Sequence, residues 1–186
     1  MAIIKKVWIG ENMQLDLSDI IHEKQNVTVS AHLDHDQIKV QGISYPIAEK
    51  KPFDLSLSAA DGKKLMIQAE TEIGTIIPCD RCLTDVPVRI SAVINVELSL
   101  EDGKPDHLTD GEAVNFVEGK SLDVDQMILD EILLNWPAKV LCKEDCKGLC
   151  PVCGQNLNEK DCGCDRKVLD PRMAKALDVF NQFKEV

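Results

Sequence analysis

Six of the eight cysteines lie within residues 142–164, and their spacing constrains the fold more than any other feature of the chain. The pattern is C-x3-C-x3-C-x2-C-x8-C-x-C. A Cys thiolate is a soft ligand that Zn2+ binds in tetrahedral sets of four. Two residues between Cys150 and Cys153 let both sulfurs face one ion, and Gly154 allows the backbone to turn there. The segment therefore predicts a zinc knuckle.

The remaining two cysteines, Cys79 and Cys82, form a separate C-x-x-C pair. Two complete sets of four thiols predict one or two structural Zn2+ ions, because a site filled by four cysteines has no open position for catalysis. The spacing leaves two partitions open. In one partition, the two sites are Cys150, Cys153, Cys162 and Cys164, and Cys79, Cys82, Cys142 and Cys146. In the rival partition, one ion binds Cys142, Cys146, Cys150 and Cys153, and the other four thiols bind a second ion or none.

The expected compartment favours zinc over disulfides. No apolar stretch approaches the roughly 20 residues that a membrane-spanning helix needs. The first residues, MAIIKKVWIGEN, show neither a long apolar run nor a cleavage site typical of a secretory signal. We therefore expect a cytoplasmic protein without a membrane partner, whose thiols stay reduced. A redox role for Cys79 and Cys82 is disfavoured, because a thioredoxin-like C-x-x-C opens a helix, whereas a strand pattern follows here.

Charge is unevenly distributed along the chain, whose net charge is −11. Residues 1–141 carry 24 acidic and 13 basic side chains, whereas residues 142–186 carry eight of each. Affinity for a phosphate backbone rises with the number of phosphates that Lys and Arg neutralise, so this composition disfavours strong, unassisted binding of nucleic acid. A protein partner, especially a basic one, fits the charge better.

Alternating apolar and polar residues predict strands in the middle of the chain. Three segments show the period of two that is typical of a half-buried strand, namely 53–58, 65–77 and 86–100. An Asp-Gly turn separates the first two segments, and Cys79 and Cys82 lie at the turn between the last two. We predict an antiparallel β-meander domain over residues 1–120.

A helix is predicted from residue 121, with Asp123 as its cap. The helix ends before Pro137, because the residue that precedes a proline is disfavoured in a helical conformation. Beyond the cysteines, Pro171 suits the first turn of a last helix. The predicted class is α+β, in which a second domain over residues 121–186 contains the first helix, a Cys-rich zinc-knuckle module and a C-terminal helix.

The sequence shows no motif that predicts catalysis. It has no glycine-rich phosphate loop, no H-E-x-x-H motif and no evident pairing of a nucleophile with a base. Asp130 and Glu131 are adjacent carboxylates, but neighbouring positions on a helix point about 100° apart, so these two groups do not readily share one proton. We expect a protein that is not an enzyme, and no small-molecule substrate is evident.

These motifs resemble the YceD family of large ribosomal RNA subunit accumulation proteins. The resemblance covers most of the chain, more loosely before Phe53. The segments that carry it are Cys79-Asp80-Arg81-Cys82-Leu83, Asp130-Glu131-Ile132-Leu133-Leu134 running into Pro137, Cys146-Lys147-Gly148-Leu149-Cys150-Pro151-Val152-Cys153-Gly154, Asn156-Leu157-Asn158 and Cys162-Gly163-Cys164. The resemblance implies a bacterial cytoplasmic protein that supports ribosome assembly and has no enzymatic activity.

A role in ribosome assembly implies contact with a ribosomal protein, with large-subunit ribosomal RNA, or with both. The alternatives are a zinc-stabilised adaptor without RNA contact and, less favoured, a thiol oxidoreductase. Arg81 matches the arginine of the family's C-x-R-C motif, and we predict that it contacts a partner or RNA; a salt bridge to Asp80 or Asp85 is the alternative. Further basic contacts are predicted at Lys63, Lys64 and Arg89 near the hairpin, and at Arg166, Lys167, Arg172 and Lys175.

Overall fold

The computed structural model describes residues 6–9, 12–59, 62–101, 104–108 and 114–165 of the chain. These residues form eleven strands and two helices. In chain order the elements are β1 (Lys6–Ile9), β2 (Asn12–Asp16), α1 (Ser18–Glu23), β3 (Asn26–Ala31), β4 (Gln37–Val40), β5 (Ile43–Lys50), β6 (Phe53–Ser58), β7 (Lys64–Pro78), β8 (Asp85–Glu101), β9 (Lys104–Leu108), β10 (Val117–Glu118), β11 (Ser121–Asp123) and α2 (Val124–Leu134). The predicted architecture of mostly antiparallel strands with few helices is confirmed.

The chain divides into two compact units. The first comprises Met1–Ile77 and Asp85–Ala138, and the second comprises Pro78–Thr84 and Lys139–Val186. This division differs from the predicted boundary at residue 120. The difference arises because α2 buries Val124, Ile128 and Ile132 in the hydrophobic core of the first unit. The turn after β7 belongs instead with the cysteine-rich segment.

A seven-stranded sheet runs through the first unit in the order β3-β6-β7-β5-β4, with β8 beside β7 and β9 beside β8. Alternate residues of β6 are buried, as they are along most of β7, so the period of two in the sequence becomes one apolar face. The three predicted strands are confirmed to within one residue at each end.

The predicted meander holds only for part of this sheet. The strands β6 to β9 are neighbours both in the chain and in the sheet. In contrast, β5 pairs with the second half of β7, while β6 pairs with the first half. The strands β5 and β6 therefore both pair with the long strand β7, an arrangement that local periodicity does not encode.

A second, four-stranded sheet has the order β1-β2-β11-β10. Its strand β11 pairs with β2, so that Leu15 and Leu122 lie opposite each other and both are fully buried. Because residues 121–123 form this strand, α2 begins three residues later than predicted. The predicted cap is confirmed, since the Asp123 carboxylate accepts a hydrogen bond from the backbone N–H of Gln126 at 2.9 Å.

Neither of the two helices in the described part of the chain has the length and apolarity needed to cross a bilayer. The predicted C-terminal helix that starts near Pro171 lies outside the described residues.

Asp125 is a fully buried acid in the first turn of α2. Its Oδ2 accepts a hydrogen bond from the backbone N–H of Met13 at 2.6 Å, and its Oδ1 accepts one from the backbone N–H of Asp34 at 3.2 Å. Burial raises the pKa of the Asp125 carboxyl, and these two hydrogen bonds oppose the rise. The side chain thus joins α2 to β2 and to the segment after β3.

Replacing Asp125 with alanine should destabilise the first unit. The substitution leaves the N–H groups of Met13 and Asp34 without their acceptor, and each such loss costs about 1–3 kcal/mol. We expect the free energy of unfolding in urea to fall by about 2–4 kcal/mol. The fluorescence of Trp8 and Trp136 can follow the transition, because both tryptophans belong to the first unit.

The matched control is Asp54→Ala, which removes an exposed aspartate from β6. It should change the free energy of unfolding by less than about 0.5 kcal/mol. Equal effects of the two substitutions would show that the Asp125 carboxylate does not hold these elements together.

Candidate metal centres

The turn that follows β7 is closed by two backbone hydrogen bonds. The N–H of Cys79 donates to the carbonyl oxygen of Thr84 at 2.8 Å, and the N–H of Leu83 donates to the carbonyl oxygen of Cys79 at 2.9 Å. Leu83 has a φ of 60°, a left-handed conformation that is uncommon outside glycine. Within this turn the thiols of Cys79 and Cys82 are both buried.

Asp80 holds the segment after residue 138 against this turn. Its backbone N–H donates to the carbonyl oxygen of Val140 at 2.9 Å, and its Oδ2 accepts a hydrogen bond from the N–H of Val140 at 2.7 Å. In addition, Nη1 of Arg81 donates to the carbonyl oxygen of Cys146 at 2.9 Å. These contacts bring Cys142 and Cys146 to the upstream C-x-x-C pair, although 60 to 67 residues separate them in sequence.

Cluster I consists of Cys79, Cys82, Cys142 and Cys146, whose sulfurs all lie within 4.8 Å of one another. The sulfurs of Cys79 and Cys146 are 3.8 Å apart, and those of Cys82 and Cys142 are 3.5 Å apart. Sulfurs joined in a disulfide would be about 2.05 Å apart. Four sulfurs placed tetrahedrally at about 2.3 Å from one Zn2+ would be about 3.8 Å apart. Cluster I therefore has the geometry to hold a metal ion.

Cluster II consists of Cys150, Cys153, Cys162 and Cys164, whose sulfurs also lie within 4.8 Å of one another. The N–H of Gly154 donates to the carbonyl oxygen of Cys150 at 2.9 Å, and the N–H of Cys150 donates to the carbonyl oxygen of Gln155 at 2.8 Å. Gly154 has a φ of 74°, which glycine adopts without a steric penalty. The four thiols of this knuckle can hold a second metal ion.

The two clusters differ in their exposure to solvent. In cluster I, Cys142 is exposed and the other three cysteines are buried. In cluster II, Cys150 is buried, Cys153 is exposed and the remaining two cysteines are half-buried. Cluster I is therefore the more enclosed of the two.

Hydrogen bonds lower the pKa of at least one thiol in each cluster. Burial opposes ionisation of Cys79, but backbone hydrogen bonds, chiefly from Arg81, outweigh burial and lower the pKa of Cys79 to about 6. Backbone hydrogen bonds from Cys153 and Val152 likewise lower the pKa of Cys150 to about 6. Both thiols are thus prepared to act as thiolate ligands.

Another thiol in each cluster resists ionisation. The neighbouring thiol of Cys82 raises the pKa of Cys142 to about 12, and Cys162, followed by Cys153, raises the pKa of Cys164 to about 12. Like charges at these distances repel, whereas a nearby cation favours the ionised form. The charge balance of both clusters therefore fits a bound metal cation.

The structure groups the thiols as in the first of the two predicted partitions. The rival set of Cys142, Cys146, Cys150 and Cys153 is not brought together. The physical reason lies in the contacts of Asp80 and Arg81, which draw the first two of these cysteines to the turn after β7.

The predicted basic contacts are divided between the two units. Lys63 directly precedes β7, and Lys64 is the first residue of this strand. Lys64 forms a salt bridge with Glu97 at 2.7 Å. Arg81 belongs to the second unit and is exposed.

Arg89 is also engaged by carboxylates, since it lies 3.0 Å from Glu72 and 3.3 Å from Glu49. Exposed pairs of this kind contribute little to stability, but they place negative charge beside the cations that would meet phosphate groups. The other predicted contacts, Arg166, Lys167, Arg172 and Lys175, lie outside the described residues.

Sequence reasoning missed the roles of two side chains. Asp80 bonds to Val140, and Nδ2 of Asn158 donates to Sγ of Cys146 at 3.3 Å. No local sequence signal identifies this role of Asp80, because its hydrogen-bond partner Val140 lies 60 residues away in the chain. The spacing of Asn158 predicts a turn but does not predict a contact with a sulfur of the other cluster.

The family model described as "Large ribosomal RNA subunit accumulation protein YceD" matches residues 67–180, more than half of the chain. The match spans most of β7, all of β8 and α2, and both cysteine clusters. No solved structure matches the chain.

Several proteins are similar in sequence. An uncharacterized protein of Mycobacterium tuberculosis is 32% identical over 106 residues, which cover 57% of this chain and 51% of that protein. The uncharacterized protein YlbN of Bacillus subtilis is 30% identical over 117 residues, which cover 59% of this chain and 63% of YlbN. A protein of Arabidopsis thaliana named large ribosomal RNA subunit accumulation protein YCED homolog 1, chloroplastic, is 38% identical over 53 residues, which cover 28% of this chain and 16% of that protein.

The chain spans about half the length of the mycobacterial relatives it matches. The matched segment nevertheless contains all eight cysteines and the strands and helix around them. The chain therefore belongs to the YceD family of large ribosomal RNA subunit accumulation proteins.

Proposed function

We propose that the protein is a non-enzymatic ribosome-assembly factor that supports the accumulation of large-subunit ribosomal RNA in the cytoplasm. The observation that carries this proposal is the family match over residues 67–180, which includes every cysteine of both clusters. The family name and the name of the Arabidopsis relative both refer to this accumulation. A binding role also fits the clusters, because a metal with four protein ligands has no open position for catalysis.

Both clusters are proposed to hold structural Zn2+. Thiolates are soft ligands, and tetrahedral sets of four sulfurs suit zinc. In cluster I the bound ion would join the turn after β7 to the segment that carries Cys142 and Cys146. Because an unfolded chain rarely contains a preformed site, the free energy of metal binding would stabilise the fold of the second unit.

The direct partner is proposed to be a basic ribosomal protein. The net charge of −11 favours a basic surface over a phosphate backbone. Two of the predicted RNA contacts, Lys64 and Arg89, lie beside glutamates, which supports the same preference. Arg81 remains our candidate for partner contact, because it is exposed while cluster I holds its orientation through the carbonyl oxygen of Cys146.

Metal analysis of the purified chain tests the zinc proposal. We expect about two Zn2+ ions per chain in the wild-type protein and about one in the Cys82→Ser variant, because the substitution removes one of the four thiolates of cluster I. The control Val93→Ser, which changes an exposed residue of β8, should keep both ions. Wild-type protein that is isolated under reducing conditions without metal would contradict the proposal.

Sucrose-gradient profiles test the assembly role in cells. Removal of the chromosomal gene should lower the ratio of large to small ribosomal subunits, and the wild-type gene and the Val93→Ser variant should both restore that ratio. Cys82→Ser should restore it poorly, since the second unit would lose the ion of cluster I. An unchanged ratio after removal of the gene would refute the assembly role.

Binding to transcribed large-subunit ribosomal RNA separates a protein partner from direct RNA contact. We expect weak binding at physiological salt, because the net charge of −11 disfavours association with a phosphate backbone. Tight binding that weakens steeply with salt, and that Arg81→Ala reduces, would instead indicate direct RNA contact. A complete lack of binding at low salt would favour an adaptor that acts only through proteins.

A further inference from the structure

Only three residues, 147–149, separate cluster I from cluster II in the sequence, and they contact both clusters. The N–H of Leu149 donates to the carbonyl oxygen of Arg81, in the turn of cluster I, at 3.0 Å. The carbonyl oxygen of Gly148 accepts a hydrogen bond from the N–H of Leu157, in the loop of cluster II, at 3.0 Å. A Cβ at Gly148 would lie 3.0 Å from the carbonyl oxygen of Arg81, so only glycine fits this approach without displacement.

Asn158 extends this connection to a sulfur atom. It lies in the eight-residue loop between Cys153 and Cys162 of cluster II. Its Nδ2, however, is 3.3 Å from Sγ of Cys146, a buried cysteine of cluster I. A side chain from the loop of one cluster thus contacts a candidate ligand of the other.

The surrounding hydrogen bonds define which way the Asn158 amide points. Its Oδ1 accepts a hydrogen bond from the backbone N–H of Lys147 at 2.9 Å, so the amide nitrogen must face the sulfur. The side chain of Asn156 fixes the loop further, because its Oδ1 accepts hydrogen bonds from the backbone N–H and from Nδ2 of Asn158, both at 3.0 Å. These hydrogen bonds aim the Nδ2 donor of Asn158 at Sγ of Cys146.

A hydrogen bond from a neutral amide stabilises a thiolate, and it does so more strongly than it stabilises a thiol. Groups that bond to metal ligands in this way orient them and raise the metal affinity. The position of Asn158 depends in turn on the loop between Cys153 and Cys162. A metal ion in cluster II would close that loop and restrict its conformations.

We propose that Asn158, which belongs to the loop of cluster II, is a positioning residue for cluster I. The two clusters therefore bind metal cooperatively. This inference rests on the zinc sites of the proposed function. Metal in cluster II fixes the loop, and the loop presents the amide donor to Cys146. By thermodynamic reciprocity, metal in cluster I strengthens binding at cluster II by the same factor.

The cooperativity can be measured with the full-length chain and Zn2+ in competition with a chromophoric chelator. The double variant Cys162→Ser, Cys164→Ser retains only cluster I, and the double variant Cys79→Ser, Cys82→Ser retains only cluster II. We expect the product of the two Zn2+ dissociation constants of the wild-type chain to be lower than the product of the constants of these two variants by roughly 5- to 150-fold. Equal products would overturn the proposal.

The role of Asn158 is tested with Asn158→Asp. This substitution keeps an oxygen for the N–H of Lys147 but replaces the donor to Cys146 with a second negative group. We expect Zn2+ affinity at cluster I to fall roughly 10- to 100-fold in the chain with both clusters intact. The effect should shrink to less than about threefold in the variant that retains only cluster I, because the loop no longer holds residue 158 in place.

Asn95→Asp is the matched control, since it makes the same change of charge at an exposed position of β8. It should leave both Zn2+ constants unchanged. Tryptophan fluorescence reports separately that the first unit stays folded in every variant, because both tryptophans lie there. An effect of Asn158→Asp that is equally large with and without cluster II would refute the coupling.

The outcomes also separate this inference from the proposed zinc sites. If the wild-type chain binds no Zn2+, the zinc sites themselves are refuted. If it binds two ions, but the products of the constants agree and Asn158→Asp has no effect, the zinc sites stand and only the coupling is refuted.

Discussion

Thiolates packed within 4.8 Å of one another repel, and a cation between them offsets this repulsion; both cysteine clusters of the second unit are subject to this constraint. Among the described residues, the hydrophobic core cluster comes entirely from the first unit. Small segments with little apolar surface to bury need another source of stability, and a structural metal is a common one. Metal binding at the two clusters would supply the stability that a hydrophobic core supplies in the first unit.

The first unit is stabilised by different means. Alternate residues of its strands build one apolar face, and α2 covers part of that core with Ile128 and Ile132. Asp125 adds a polar link that satisfies two backbone donors from distant parts of the chain. The first unit is thus stabilised by apolar burial, whereas the second unit contains both cysteine clusters. Residues 78–84, which form the turn after β7, belong to the second unit.

Arg81 connects the proposed function to the metal centres. Its side chain donates to the carbonyl oxygen of Cys146, and its own carbonyl oxygen accepts the N–H of Leu149. Its orientation therefore depends on both segments that the clusters hold together. Under the proposed function, a partner surface at the turn after β7 would keep its shape only while the four thiols of cluster I stay together, and this is how a structural metal would contribute to binding.

The sequence by itself determined the strands β6, β7 and β8, the cap at Asp123 and the grouping of Cys150 with Cys153, because each follows from local periodicity or spacing. Only the tertiary structure decided that β5 and β6 share β7, that residues 121–123 pair with β2 before the helix begins, and that Asn158 faces a sulfur of the other cluster. Of the two thiol partitions left open by spacing, the contacts of Asp80 across 60 residues selected one. Local patterns predict the secondary structure of a segment and the spacing of its ligands. They do not predict which distant segment packs beside it, and the strand pairing, the Asn158 contact and the thiol partition all depend on that packing.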